Sequence, residues 1–183
     1  MRVIVGITGA SGALFGVDFI RRCPAEKFLI LTKWGRYVLK EETGLTEHHL
    51  EEHVKRSFAD EDLAAPFSSG SNLFDALVIL PCSVSTMAKI ACGLADTLLT
   101  RTAQVALKER RRLIIGLRET PLSTIALEQA HKLSVAGAIV LPISPPFYYH
   151  PQTIEQMVEQ FTEKLLSLLG FETQLAWKPE ALD

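Results

Sequence analysis

A chain of 183 residues, 48% apolar and 22% charged, suits one globular domain with one sizeable core. Its net charge of −2 points to no nucleic-acid or membrane-surface partner, and no apolar run reaches the roughly 18 residues of a membrane span. Cys23, Cys82 and Cys92, with no C-x-x-C among them, argue against a disulfide framework or a cysteine zinc site, and the chain reads as cytoplasmic and unprocessed.

The first apolar run, "RVIVGI" (2–7), leads into "TGASG" and then a helical pattern. The second, "KFLILT" (27–32), is followed by "TKWGRYVLKEE". Residues 44–73 are polar and read as a helix and then a Ser-, Asn- and Gly-rich loop, the segment expected to be most mobile. Within it His49, Glu52 and His53 spell H-x-x-E-H, but no obvious third ligand accompanies them and a solvated helix face is the expectation. The third run, "ALVILP" (76–81), precedes "PCSVST"; the fourth, "RLIIGL" (112–117), precedes "RETPLS"; the fifth, "AIVLPI" (138–143), precedes "PPFYYHP". In the last helical pattern Ile154, Met157, Val158, Phe161, Leu165, Leu168 and Leu169 share one face, and Thr153 with Gln156 offers a capping box. Continuous rather than alternating apolarity marks strands buried on both faces. Alternating with helices, such strands predict a doubly wound, Rossmann-like α/β fold with a parallel sheet, as a single domain over 1–183 with a tail from about 171.

Sheets of this kind bind ligands beyond the C-terminal ends of their strands, where every connecting segment here is polar or rich in Gly and Pro. "TGASG" before a helix suits an anion, because small residues let backbone N–H groups approach a phosphate. It also suits a tight, closely packed turn. Thr32, Ser83 and Thr86 add hydroxyls to the same rim, although each alone is an ordinary helix cap. "RTAQVALKERRR" (101–112) sets Arg101 and Lys108 two turns apart on nearly one face, as a solvated basic face or a phosphate clamp. Arg118 and Glu119 at a strand end form a charged pair expected to be partly desolvated, where a carboxyl can be tuned for proton transfer or simply hold a loop.

Taken together, "GITGASGALFG", "SSGS" (68–71), "PCSVSTMAKIACGLADTLLTRTAQVALKERR", "RETPLS" and "PPFYYHPQT" resemble the UbiX-like flavin prenyltransferases, also known as aromatic-acid decarboxylases, over about residues 3–170. The resemblance implies a flavoprotein-type fold with FMN over Gly9, Ala10 and Ser11, and with Thr32, Ser83, Thr86 and Arg118 as further FMN contacts. It implies Arg101, Lys108, Tyr148 and Lys164 at the phosphate of the prenyl donor. Glu119, Glu42 and Ser11 are the implied catalytic groups. Ala126 and Gln129 stand where relatives carry a histidine and an asparagine, and Lys164 replaces an arginine, keeping the charge without its two-pronged geometry. Trp177 lacks the preceding arginine that relatives have.

The implied reaction joins a dimethylallyl group from dimethylallyl monophosphate to N5 and C6 of reduced FMN. It needs cations at the leaving phosphate, a dry π-rich pocket for the prenyl tail, and a proton-handling acid, with no metal required. The resemblance further implies a homododecamer with sites at subunit junctions, and delivery of the prenylated FMN to a UbiD-like decarboxylase. An FMN-binding carrier without prenyl transfer remains the alternative. An FMN-dependent cysteine decarboxylase is disfavoured, because residues 17–40 hold no histidine and "PCSVST" takes the place of an Asn-centred motif.

Overall fold

A computed structural model describes residues 1–173; the tail beyond, with Trp177, lies outside the described residues. Six strands, β1 (Arg2–Ile7), β2 (Glu26–Leu31), β3 (Arg56–Ala59), β4 (Ala76–Cys82), β5 (Arg112–Leu117) and β6 (Ile139–Pro142), form one sheet. Its order is β3-β2-β1-β4-β5-β6 and every pairing is parallel. This is the doubly wound arrangement that the apolar runs predict. The central strands are buried along almost their whole length, with Val3, Ile4, Val5, Leu77, Val78 and Ile79 fully inaccessible. That burial is why they read as unbroken apolar runs.

The helices are α1 (Ala13–Arg22), α2 (Lys33–Thr43), α3 (His48–Glu51), α4 (Val84–Ala91), α5 (Leu98–Lys108), α6 (Thr124–Val135) and α7 (Ile154–Leu169). The helix α2 presses so closely on β1 that a Cβ on Gly35 would lie 2.2 Å from the Ile7 carbonyl oxygen. Only glycine permits that approach, which sets the start of α2 directly beside the end of β1.

Two expectations for residues 44–73 need correction. The segment contains the edge strand β3, in which only Phe58 is buried. Its helix is a single turn, α3. The loop is also anchored. Phe67 is buried and meets Phe28, Phe58 and Phe74 edge-on at 5.0, 5.5 and 5.9 Å between ring centroids. Arg101 Nε donates to the Ser68 carbonyl, and Arg111 donates to the carbonyls of Gly70 and Asn72. The aromatic anchor and three backbone carbonyls held by arginines hold this loop in place.

By their contacts the residues fall into two compact units, Met1–Ile143 and Ser144–Asp183. In the second, Thr153 caps α7 by accepting from the Gln156 N–H at 3.2 Å. The reciprocal arm differs from a capping box, because the Gln156 side chain accepts from the N–H of Gln152 instead of Thr153. Val158, Phe161, Leu165 and Leu169 of the predicted face are buried, whereas Ile154 is exposed. No described helix is long and apolar enough to cross a membrane.

Candidate functional site

A cleft of about 480 Å³ lies beyond the C-terminal ends of the strands, at the switch point where β1 and β4 diverge toward opposite edges. Its walls include Gly9 after β1, Thr32 after β2, Asp60 after β3, and Ser83 and Thr86 after β4. Buried Thr8 stitches the two sides together: its Oγ1 donates to the Pro81 carbonyl at 3.0 Å and accepts from the Ser83 N–H at 2.8 Å.

Three helices open into this cleft at their N-terminal ends, since Lys33 and Trp34 of α2, Ser85 and Thr86 of α4, and Leu99 and Thr100 of α5 all line it. Thr32 caps α2, with Oγ1 accepting from the Gly35 N–H at 3.0 Å; Ser83 caps α4, with Oγ accepting from the Thr86 N–H at 3.2 Å. Each cap is neutral and uses one N–H. The first-turn N–H groups of Lys33, Trp34, Val84 and Ser85 find no partner among the described residues. These free donors, with the positive end of each helix dipole, make the α2 and α4 side of the cleft a seat for an anion. Lys33 adds positive charge there, and Lys89, which lines the cleft from the last turn of α4, is paired with Asp96 at 2.7 Å. The Ser83 hydroxyl donates to Thr86 Oγ1 at 3.1 Å, which leaves the Thr86 proton for a ligand.

The first helix behaves differently. Gly12 has no side chain to cap α1, and Glu42, thirty residues on, supplies a carboxylate instead. Its Oε2 accepts from the N–H groups of Gly12 at 2.8 Å and Ala13 at 2.9 Å. The "TGASG" donors expected for a phosphate are therefore partly taken up by the chain's own glutamate. Ala10 is buried and Ser11 exposed on this loop. Replacing Glu42 with alanine strips α1 of that cap and is expected to lower stability by about 1–2 kcal/mol, read as a shifted urea midpoint with unchanged slope. Glutamine, which keeps an acceptor oxygen, should recover most of the loss.

The remaining candidates are placed as follows. Arg118 and Glu119 follow β5, where the Arg118 N–H donates to the Cys82 carbonyl. Both side chains are exposed and form no ion pair with each other, against the expected desolvated pair. Glu119 Oε1 accepts from the Thr120 N–H at 3.0 Å, which holds the carboxylate near the strand end. Arg101 and Lys108 both face the 68–71 loop: Arg101 binds the Ser68 carbonyl, and Lys108, beside Gly70, pairs with Glu109. Neither lines the cleft. Tyr148, on the second unit, stands against Tyr149 with ring centroids 4.4 Å apart, and Lys164 is exposed on α7. Ala126 fills a buried position in α6, and the Gln129 amide oxygen is buried without a partner among the described residues.

Sequence reasoning missed Asp60, Trp34 and the Thr97–Thr100 pair. Asp60 is 6% exposed, and burial pushes its carboxyl above the usual range, opposed by bonds from the Leu99 N–H and the Thr97 side chain. Trp34 stands 63% exposed at the cleft, its Cβ 2.4 Å from where a Cβ on Gly9 would lie. Thr97 and Thr100 form a true capping box at α5, a T-x-x-T signal legible in the sequence. His49 is bonded to Thr46 and His53 paired with Glu52, and among the described residues no three His, Cys, Asp or Glu side chains gather as a metal site.

A family model described as Flavoprotein matches residues 1–166. The flavin prenyltransferase UbiX of Thermoplasma acidophilum is 43% identical over 171 residues, spanning 93% of this chain and 95% of that protein. A dodecameric FMN-dependent Ubix-like decarboxylase from Escherichia coli O157:H7 superposes with a TM-score of 0.93 at 37% identity, over 97% of this chain and 99% of that one. AnUbiX (PadA1), solved in complex with FMN and dimethylallyl pyrophosphate, superposes with a TM-score of 0.91 at 37% identity, over 97% and 98%.

Proposed function

The chain belongs to the UbiX-like flavin prenyltransferases within the Flavoprotein family, and from that premise we propose how its residues divide the work. The chain is a flavin prenyltransferase that uses FMN. In our reading the donor is dimethylallyl monophosphate, the new bonds are to N5 and C6 of the reduced flavin, and a UbiD-like decarboxylase receives the product. Reduced FMN supplies the nucleophilic ring positions.

The observation that carries the placement of the flavin is the pair of neutrally capped helix ends, α2 and α4, with free N–H groups turned into one cleft. That donor set fits the phosphate of FMN. Thr32, Ser83 and Thr86 line its path, while Gly9, Ala10 and Ser11 cover it and Arg118 stands at the neighbouring strand end. Glu119 has one carboxylate oxygen held by the Thr120 N–H and the other available to take a proton. Ser11 and Glu42 relay protons in this reading, Ser11 on a loop that Glu42 holds at Gly12 and Ala13. Arg101, Lys108, Tyr148 and Lys164 hold the donor phosphate and stabilise the charge that develops as it leaves.

Arg101 and Lys108 face the 68–71 loop rather than the cleft. A site that uses them together with the flavin is therefore completed by a neighbouring copy, in a homododecamer like the solved relative. We read the protein as cytoplasmic and as one flavin-binding domain.

The flavin placement is tested by titrating FMN against the wild-type protein and Thr86→Val. The wild type should bind FMN at micromolar concentration or tighter, and Thr86→Val should bind it about 5- to 10-fold more weakly through loss of one hydroxyl donor. Equal affinity would move the flavin off the α4 end.

A further inference from the structure

The helix ends around the cleft are closed in two ways. On α2 and α4 the caps are neutral hydroxyls and two first-turn N–H groups per helix stay free. On α5 every first-turn N–H is taken. Leu98 N–H donates to the Asp60 carbonyl at 2.7 Å, Leu99 N–H to Asp60 Oδ1 at 2.9 Å, and Thr100 N–H to Thr97 Oγ1 at 3.4 Å. Beside the neutral Thr97 cap, this end is closed by the Asp60 carboxyl group, which is almost wholly buried and lines the same cleft. Glu61 lines the cleft beside it, whereas Lys33 lines the cleft at the start of α2; Lys89, from the last turn of α4, is paired with Asp96 at 2.7 Å.

We propose that Asp60 is a specificity-determining residue that orients the ligand: its charge closes the α5 end to phosphate, so that the phosphate group can seat only on α2 and α4. A helix end with free first-turn N–H groups attracts an anion, but one whose N–H groups are taken up by a carboxylate repels it. Left neutral, the α5 end would compete for the same group and admit the ligand reversed. The buried carboxylate thus serves as an electrostatic key within a cleft whose backbone otherwise favours anions at three helix ends. The inference rests on the flavin-binding reading of this cleft.

The test uses inorganic phosphate as probe, measured by calorimetry on the full chain at about pH 8. Asp60→Asn keeps an oxygen for the Leu99 N–H and removes the charge; Asp60→Ala removes the charge and frees that N–H, leaving the Thr97 hydroxyl cap in place. Either variant should bind phosphate about 5- to 10-fold tighter than wild type. A purely structural cap predicts the reverse, with weaker or unchanged binding, and that result would overturn the proposal. Should neither variant fold, wild-type crystals soaked in phosphate decide. Anion on the α2 and α4 N–H groups alone is expected, and anion beside Asp60 contradicts the proposal. FMN titrated in parallel separates the two ideas: a wild type that binds phosphate as expected yet takes up no FMN would sink the flavin reading and leave the role of Asp60 standing.

Discussion

Glu119→Gln should bind FMN as the wild type does and yet transfer the prenyl group about 10²-fold more slowly, or worse, the scale of a lost general acid–base group. The structure gives the reason for expecting the two effects to separate. The carboxylate is exposed beyond β5 and does not line the cleft, so no flavin contact in the cleft depends on it. Its Oε1 accepts from the Thr120 N–H, a bond that a glutamine oxygen reproduces, so the strand end keeps its shape. What glutamine cannot do is accept and return a proton. Single-turnover rates under anaerobic conditions, set beside FMN affinities, measure both quantities. Wild-type turnover in the variant would make Glu119 structural and assign the proton transfer to another group.

Lys164→Ala should weaken capture of dimethylallyl phosphate by about 1.5–3 kcal/mol, roughly 10- to 150-fold, the range for a hydrogen bond to a charged group. Lys164 is exposed on α7 and has no hydrogen bond or ion pair among the described residues, so its loss removes no internal contact. It does not line the cleft, and FMN affinity should hold. Lys164→Arg should retain activity and tighten the donor, since a guanidinium grips two phosphate oxygens at once. A lysine that only covers a helix face predicts equal donor affinity in wild type and alanine variant, and titration of the donor distinguishes the two.

Much of this architecture is legible because the physics acting on it is local. Four strands declare themselves by continuous apolar runs, since burial on both faces leaves no polar alternation, and the edge strand β6 is also an apolar run although it is only half-buried. The edge strand β3 does not. It has four residues and one buried side chain, a pattern no different from a loop. Asp60 was illegible for the same reason. Its role exists only once β3 lies beside β2 and brings it to the start of α5, thirty-nine residues away. Thr32 and Ser83 could be read as hydroxyls at strand ends, but the division of the helix ends into open and closed could not, because it depends on which distant carboxylate reaches each one. Glu42 illustrates this: it meets Gly12 and Ala13 only through the packing of α1 against α2.

The most direct measurement is mass spectrometry of the flavin extracted after anaerobic incubation with reduced FMN and dimethylallyl phosphate. A prenyltransferase yields FMN carrying one added five-carbon prenyl unit, in amounts that exceed the protein present, and none when the donor is omitted. Recovery of unmodified FMN alone, from protein that demonstrably binds both FMN and the donor, would contradict this account.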